Sequence, residues 1–145
     1  MTTQPLMVRL GHAREQAGIR QNAVAAQLGV HTDTVYKWEA GQRSPHYAHA
    51  NAYAHHINQQ IILHDGRRIL ARGADIPAAL PRLREAAGIS RRQLADTIHV
   101  TRQAVTAAER RGHQLLTAVE AAARGLGLTV DVRACQPARR EVADA

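Results

Sequence analysis

Absences narrow this sequence before any motif does. Of 145 residues none is phenylalanine, aromatics make up 3%, and Cys135 is the only cysteine. One cysteine excludes an intrachain disulfide and a cysteine-rich zinc site, which fits a reducing compartment. So few aromatic residues, with alanine prominent, suit short, closely packed helices better than a sandwich or barrel. No run approaches the roughly 18 apolar residues of a membrane span, and Met1 to Gly11 lacks the charged start and apolar core of a secretion signal. A soluble, cytoplasmic protein is expected. No nucleophile-and-base set, glycine-rich phosphate loop or carboxylate pair is present, so neither enzymatic activity nor a cofactor is expected.

What is there is positive charge. The formal net charge is +7 with a pI near 10.9, and Lys37 is the only lysine among the basic residues. Divided near Gly73, the chain carries eight basic and four acidic residues before that point, eleven and eight after it, hence +4 and +3. Arginine spread over both halves points to a polyanionic partner along the whole chain, unlike a basic tail on a neutral domain.

The chain also repeats itself. A shift of about 70 residues sets Ala17-Gly18-Ile19 on Ala87-Gly88-Ile89. The same shift sets Leu10, Arg14, Glu15, Ala25, Val30, Val35 and Glu39 on Leu80, Arg84, Glu85, Ala95, Val100, Val105 and Glu109. After a small length change the match resumes, with Ala54, Ile57, Ile61 and Leu63 facing Ala123, Leu126, Val130 and Val132. Two related units in tandem follow from this self-similarity, each near the lower size limit for an independent core.

Apolar spacing within each unit is helical. In the first, a helix ending at Ala17 is stopped by Gly18, a second runs from about Gln21 to Leu28, and Gly29-Val30 makes the next turn. A third spans about Thr32 to Ala40 with Val35 and Trp38 inward, before Gly41 and Pro45 break the pattern. In the second unit Ser90 and Gln93 form a capping-box pair and Thr101 caps the next helix, where His31 is a weaker cap in the first. Each unit closes on a strand-like stretch, Gln60–His64 and Leu128–Arg133, and Asp65-Gly66 followed by Arg67–Ala71 signals a hairpin. Because an isolated hairpin is marginal, the C-terminal strand is expected to join it in a small shared sheet. The expected division is 1–64 for the first unit, 65–78 for return strand and linker, 79–134 for the second unit, and 135–145 as a frayed tail.

Particular residues carry a resemblance. In the first unit they are Ala17-Gly18-Ile19-Arg20-Gln21, Val24-Ala25, Leu28-Gly29-Val30, Val35 and Lys37 through Pro45. In the second they are Ala87 through Ala95, Val100-Thr101, Val105 and Glu109-Arg110-Arg111-Gly112, with Ala108 where the pattern has tryptophan. Both units resemble the Cro and lambda-repressor type of helix-turn-helix, also called the xenobiotic-response-element family. The resemblance implies a mainly α fold of two such units, each followed by a short β segment, and a sequence-specific double-stranded DNA-binding regulator whose third helices enter the major groove. Ala108 is expected to loosen the second unit's core without altering its DNA face.

Major-groove chemistry then selects side chains. In the first unit Thr32, Asp33 and Tyr36 are expected near base edges, with Lys37 on a phosphate or base. In the second, Arg102 suits guanine, Gln103 suits adenine, Thr106 can touch a thymine methyl, and Thr101 stands at the helix entry. Gln21, which opens the second helix where the family uses a glutamine against the backbone, and Arg91 in its place are further contacts. Arg43, Arg92 and Arg110 are phosphate candidates. Asp33 is repelled by phosphate and serves mainly if it accepts from cytosine or caps its own helix. His46, His49, His55 and His56 cluster without acidic or cysteine ligands, so no metal site is expected.

One chain holding two unequal readers suggests an intramolecular pseudo-dimer on an asymmetric site, a homodimer being the alternative. Some fifteen residues before Leu80, at up to about 3.3 Å each, can span the necessary distance. Repression by promoter occlusion fits this, with RNA polymerase as one protein partner to consider. The runner-up is an antitoxin binding its operator and a toxin, which requires an exposed apolar patch such as Ile61 to Leu70. Scarce wedge residues and stacking platforms disfavour DNA bending by intercalation and single-strand binding.

Overall fold

The computed structural model describes residues 4–111 and 114–135. Gly112, which ends the second unit's pattern, and the tail 136–145 expected to fray lie outside the described residues. The first unit comprises α1 (Leu6–Gln16), α2 (Gln21–Leu28), α3 (Thr32–Glu39), α4 (Tyr47–His56) and β1 (Gln59–His64). After β2 (Ile69–Arg72) and a 3-10 turn at Gly73–Asp75, the second unit repeats the order as α5 (Ile76–Ala86), α6 (Arg91–Ile98), α7 (Arg102–Arg111), α8 (Leu116–Gly125) and β3 (Thr129–Ala134).

Local chemistry explains most boundaries. Ser90 Oγ accepts from the Gln93 amide at 3.0 Å while Gln93 Oε1 accepts from the Ser90 amide at 2.8 Å, closing the expected capping box. Thr101 Oγ1 accepts from the Ala104 amide at 3.1 Å, whereas His31 makes no side-chain cap. At the turn between second and third helices Gly29 sits at φ +70°, and His99 takes the same left-handed conformation at φ +60° in the second unit. A non-glycine residue there costs stability, on the order of 1 kcal/mol.

The sheet has the order β2-β1-β3, both pairings antiparallel. The hairpin forms as expected, but its return strand begins at Ile69 rather than Arg67. Asp65 Oδ1 accepts from both the Arg67 and Arg68 amides at 2.9 Å, which holds those two residues in the loop. The C-terminal strand pairs with β1 along its whole length, from Gln59 opposite Ala134 to His64 opposite Thr129.

That pairing has an internal two-fold. Ile62 faces Asp131, its own counterpart in the repeat, and the flanking pairs Ile61–Val132 and Leu63–Val130 exchange under the same rotation. His46 bridges Leu115 likewise. Tyr47 N donates to Gln114 O at 2.8 Å, and its image, Leu116 N to Pro45 O, measures 2.9 Å. The β1–β3 pair and the bridge beside it are thus related by one local two-fold.

The cores are unequal. Leu6, Leu10, Tyr53, Ile61 and Leu63 of the first unit form one large cluster that also takes in Ile76, Leu80, Leu116, Val119 and Val130 from the second. Leu94, Ala95 and Val105 form a separate small cluster under α6 and α7. A thin core and a strained turn lower the free energy of local opening. Amides of α6 and α7 are therefore expected to exchange with deuterated water at least about tenfold faster than those of α2 and α3, as measured by native-state hydrogen exchange. Equal protection would mean that the two units open only together.

Candidate nucleic-acid interface

In each unit a buried ion pair sets the angle between the helices. Arg14 of α1 places Nε on Glu39 Oε2 and Nη2 on Glu39 Oε1, both at 2.9 Å, and Nη1 donates to Ile19 O at 2.8 Å. Arg84 repeats this on Glu109 at 2.7 and 3.1 Å and on Ile89 O at 2.9 Å. Each carboxylate sits in the last turn of the third helix, so first helix, turn and third helix are fastened at one point. Glu39 also accepts from Gln21 Nε2 at 3.1 Å and from the Tyr53 hydroxyl, and Glu109 accepts instead from Arg91 Nε at 2.9 Å. Burial pushes the Glu39 and Glu109 carboxyls up, but these donors outweigh it and hold both below their ordinary value. The Tyr53 hydroxyl is pushed far up by burial and by its bond to the carboxylate, and is a permanent donor.

Held this way, the third helices turn the expected residues outward. Thr32, Asp33 and Tyr36 are exposed on α3, and Arg102 and Gln103 are exposed on the first turn of α7 with Thr101 before them and Thr106 half-buried behind. Arg102, Thr106 and Arg110, four residues apart, share a face and line one concavity with Arg84, Arg91 and Arg92. Gln21 and Arg91 lie half-buried at the matching helix starts, each bonded to the carboxylate of its own unit. Arg43 is exposed just beyond α3. Asp33 does not cap its helix; its carboxylate lies 3.1 Å from Lys37 Nζ, one turn on.

The two faces differ in charge. Where the second unit presents Arg91, Arg92, Arg102 and Arg110, the aligned residues of the first are Gln21, Asn22, Thr32 and Ala40. Arg20, exposed at the N-cap of α2, is a cation that was not among the expected DNA contacts. Its position beside Gln21 was the available signal. The four histidines of residues 46–56 do not converge with a further ligand, and no group of three metal-binding side chains occurs among the described residues. Ile61, Ile62 and Leu63 are buried, so that strand offers no exposed apolar patch. No helix among the described residues is long and apolar enough to cross a membrane.

A short helix packed across a second one through a tight turn, with the second helix presenting polar residues to solvent, defines the helix-turn-helix class of DNA-binding protein. Residues 6–59 match the family model described as a helix-turn-helix domain, and residues 82–132 match a second, described as helix-turn-helix. The chain belongs to the Cro and lambda-repressor type of helix-turn-helix family, with two such domains in tandem, which mark it as a DNA-binding regulator. No curated protein and no solved structure matches it.

Proposed function

We propose that one chain binds one asymmetric double-stranded DNA site as a pseudo-dimer, α3 and α7 each entering the major groove, and represses by occluding a promoter. The internal two-fold through Ile62–Asp131 and His46–Leu115 carries this reading, because it supplies within a single chain the arrangement that related regulators obtain by dimerisation. Palindromic sites answer to equal readers about one DNA turn apart, roughly 34 Å. Here the readers are unequal. Arg102, Gln103 and Thr106 contact base edges in one half, with Thr101 at the helix entry, and Thr32, Tyr36 and Asp33 do so in the other. Arg91, Arg92 and Arg110 hold phosphates on the second side, Gln21, Arg43 and Lys37 on the first. The Asp33–Lys37 pair cancels charge on the α3 face, so the α7 half supplies more of the affinity and more of the sequence discrimination.

Selection of bound duplexes from a random pool tests this, combined with sedimentation of the complex. A single motif without dyad symmetry, bound by one 15.8 kDa chain, is the expected result. A palindrome bound by two chains would overturn the pseudo-dimer, and no enriched motif would overturn sequence-specific binding.

A further inference from the structure

The second unit contains an apolar cavity of about 120 Å³ between α5, α6, α7 and α8, open to solvent on the side where Val100, Ala104 and Ala118 are exposed. Its origin lies in the repeat. In the first unit Trp38 and Tyr53 are buried in one core cluster, and the half-buried His49 ring lies 5.5 Å from that of Trp38, centroid to centroid. The aligned residues of the second unit are Ala108, Ala118 and Ala122, and all three line the cavity. Three rings that fill one unit are thus absent from the same place in the other.

We propose that this cavity is a binding site for a small, neutral, planar aromatic molecule, of the size of benzene to indole, that takes the place of the missing rings. A flat apolar guest there would cover aliphatic side chains that water cannot hydrogen-bond, which is the driving force for filling it. Leu94, Ile98, Val105 and Leu126 supply such a lining. The guest is neutral because the one charged group at the margin, Glu109, is already committed to Arg84 and Arg91. It is small because four helices bound the space. Ala104, Val105 and Ala108 of α7 form one wall, and Arg102, Thr106 and Arg110 stand on the opposite face of that helix, so occupancy fastens α7 as Trp38 fastens α3. Any consequence for DNA affinity rests on the function proposed above, but the site does not.

Indole titrated into the full-length chain without DNA is the test. Expected are a rise in Tm of about 1–3 °C at saturating indole and NMR shifts at Leu94, Ile98, Val105 and Leu126 but not at Leu10, Val24 or Val35. Ala108→Trp is expected to raise Tm by itself and to abolish both responses; should it fail to fold, Ala118→Leu fills the same space. No response in the unaltered chain, shifts of equal size in the first unit, or a response that survives the filled cavity would overturn the proposal.

Discussion

Replacing Glu39 by alanine is expected to lower stability by about 3–5 kcal/mol, a fall in Tm of roughly 10–15 °C, because it leaves Arg14 only its bond to Ile19 O and the Tyr53 phenol no acceptor among the described residues. The Arg14 side chain is only 8% exposed and Tyr53 is fully buried, so water cannot replace the lost carboxylate. The size of the loss does not measure the worth of the pair. Arg14→Met, Glu39→Leu and Tyr53→Phe together should recover most of it, since an apolar filling avoids desolvating charge. Acid should reproduce part of the effect. The folded-state pKa of Glu39 lies below its ordinary value of 4.5, so the contribution is fully present above that pH and is lost as the pH falls through the folded value. Glu109 behaves likewise. Thermal unfolding between pH 2 and 7 should show this acid limb in the unaltered chain and a flatter one in Glu39→Gln. An alanine variant within about 1 kcal/mol of the parent would show that the network is not what holds α1 to α3.

How much of this was legible beforehand depended on whether a feature repeats, and on whether it is local. The helices were legible because each boundary has a nearby cause, such as Ser90 with Gln93 or Gly18 after Ala17. The shared sheet followed from alternation in Thr129–Val132 and from the weakness of a lone hairpin. The strand ends were read one residue off, and the hairpin's four-residue loop was missed because it depends on the Asp65 carboxylate reaching two amides. The buried ion pairs were missed because arginine and glutamate usually belong to the surface, although the recurrence of both at the same 25-residue spacing in each unit was a usable sign. The looseness expected from Ala108 was right in place. Its extent came from Ala118 and Ala122, which share a cavity wall with Ala108 only once α8 is packed against α5 and α6. Likewise Pro81 inside α5 gives no local warning that the helix continues past it.

Arg102→Ala is expected to weaken binding to the selected DNA site by 10- to 100-fold, about 1–3 kcal/mol, and to erase base preference in one half of the motif only. The reason is position. Arg102 is the first residue of α7, exposed, with no carboxylate bonded to it among the described residues, and its guanidinium can make two parallel bonds to a guanine edge. Arg92→Ala and Arg110→Ala should act differently, weakening every sequence alike and reducing the slope of log affinity against log salt by about 1 each, as phosphate contacts do. Thr32→Ala should relax the opposite half, and by less, because a hydroxyl makes single bonds and α3 stands on a less basic face. Titrations of the selected duplex and of half-site variants at several salt concentrations separate these outcomes. If Arg102→Ala instead lowers affinity equally for all duplexes, Arg102 is a phosphate contact and the discrimination in that half must come from Gln103 and Thr106. If it alters both halves of the motif, two chains share the site and each α7 reads a half, which removes the asymmetry on which the pseudo-dimer depends.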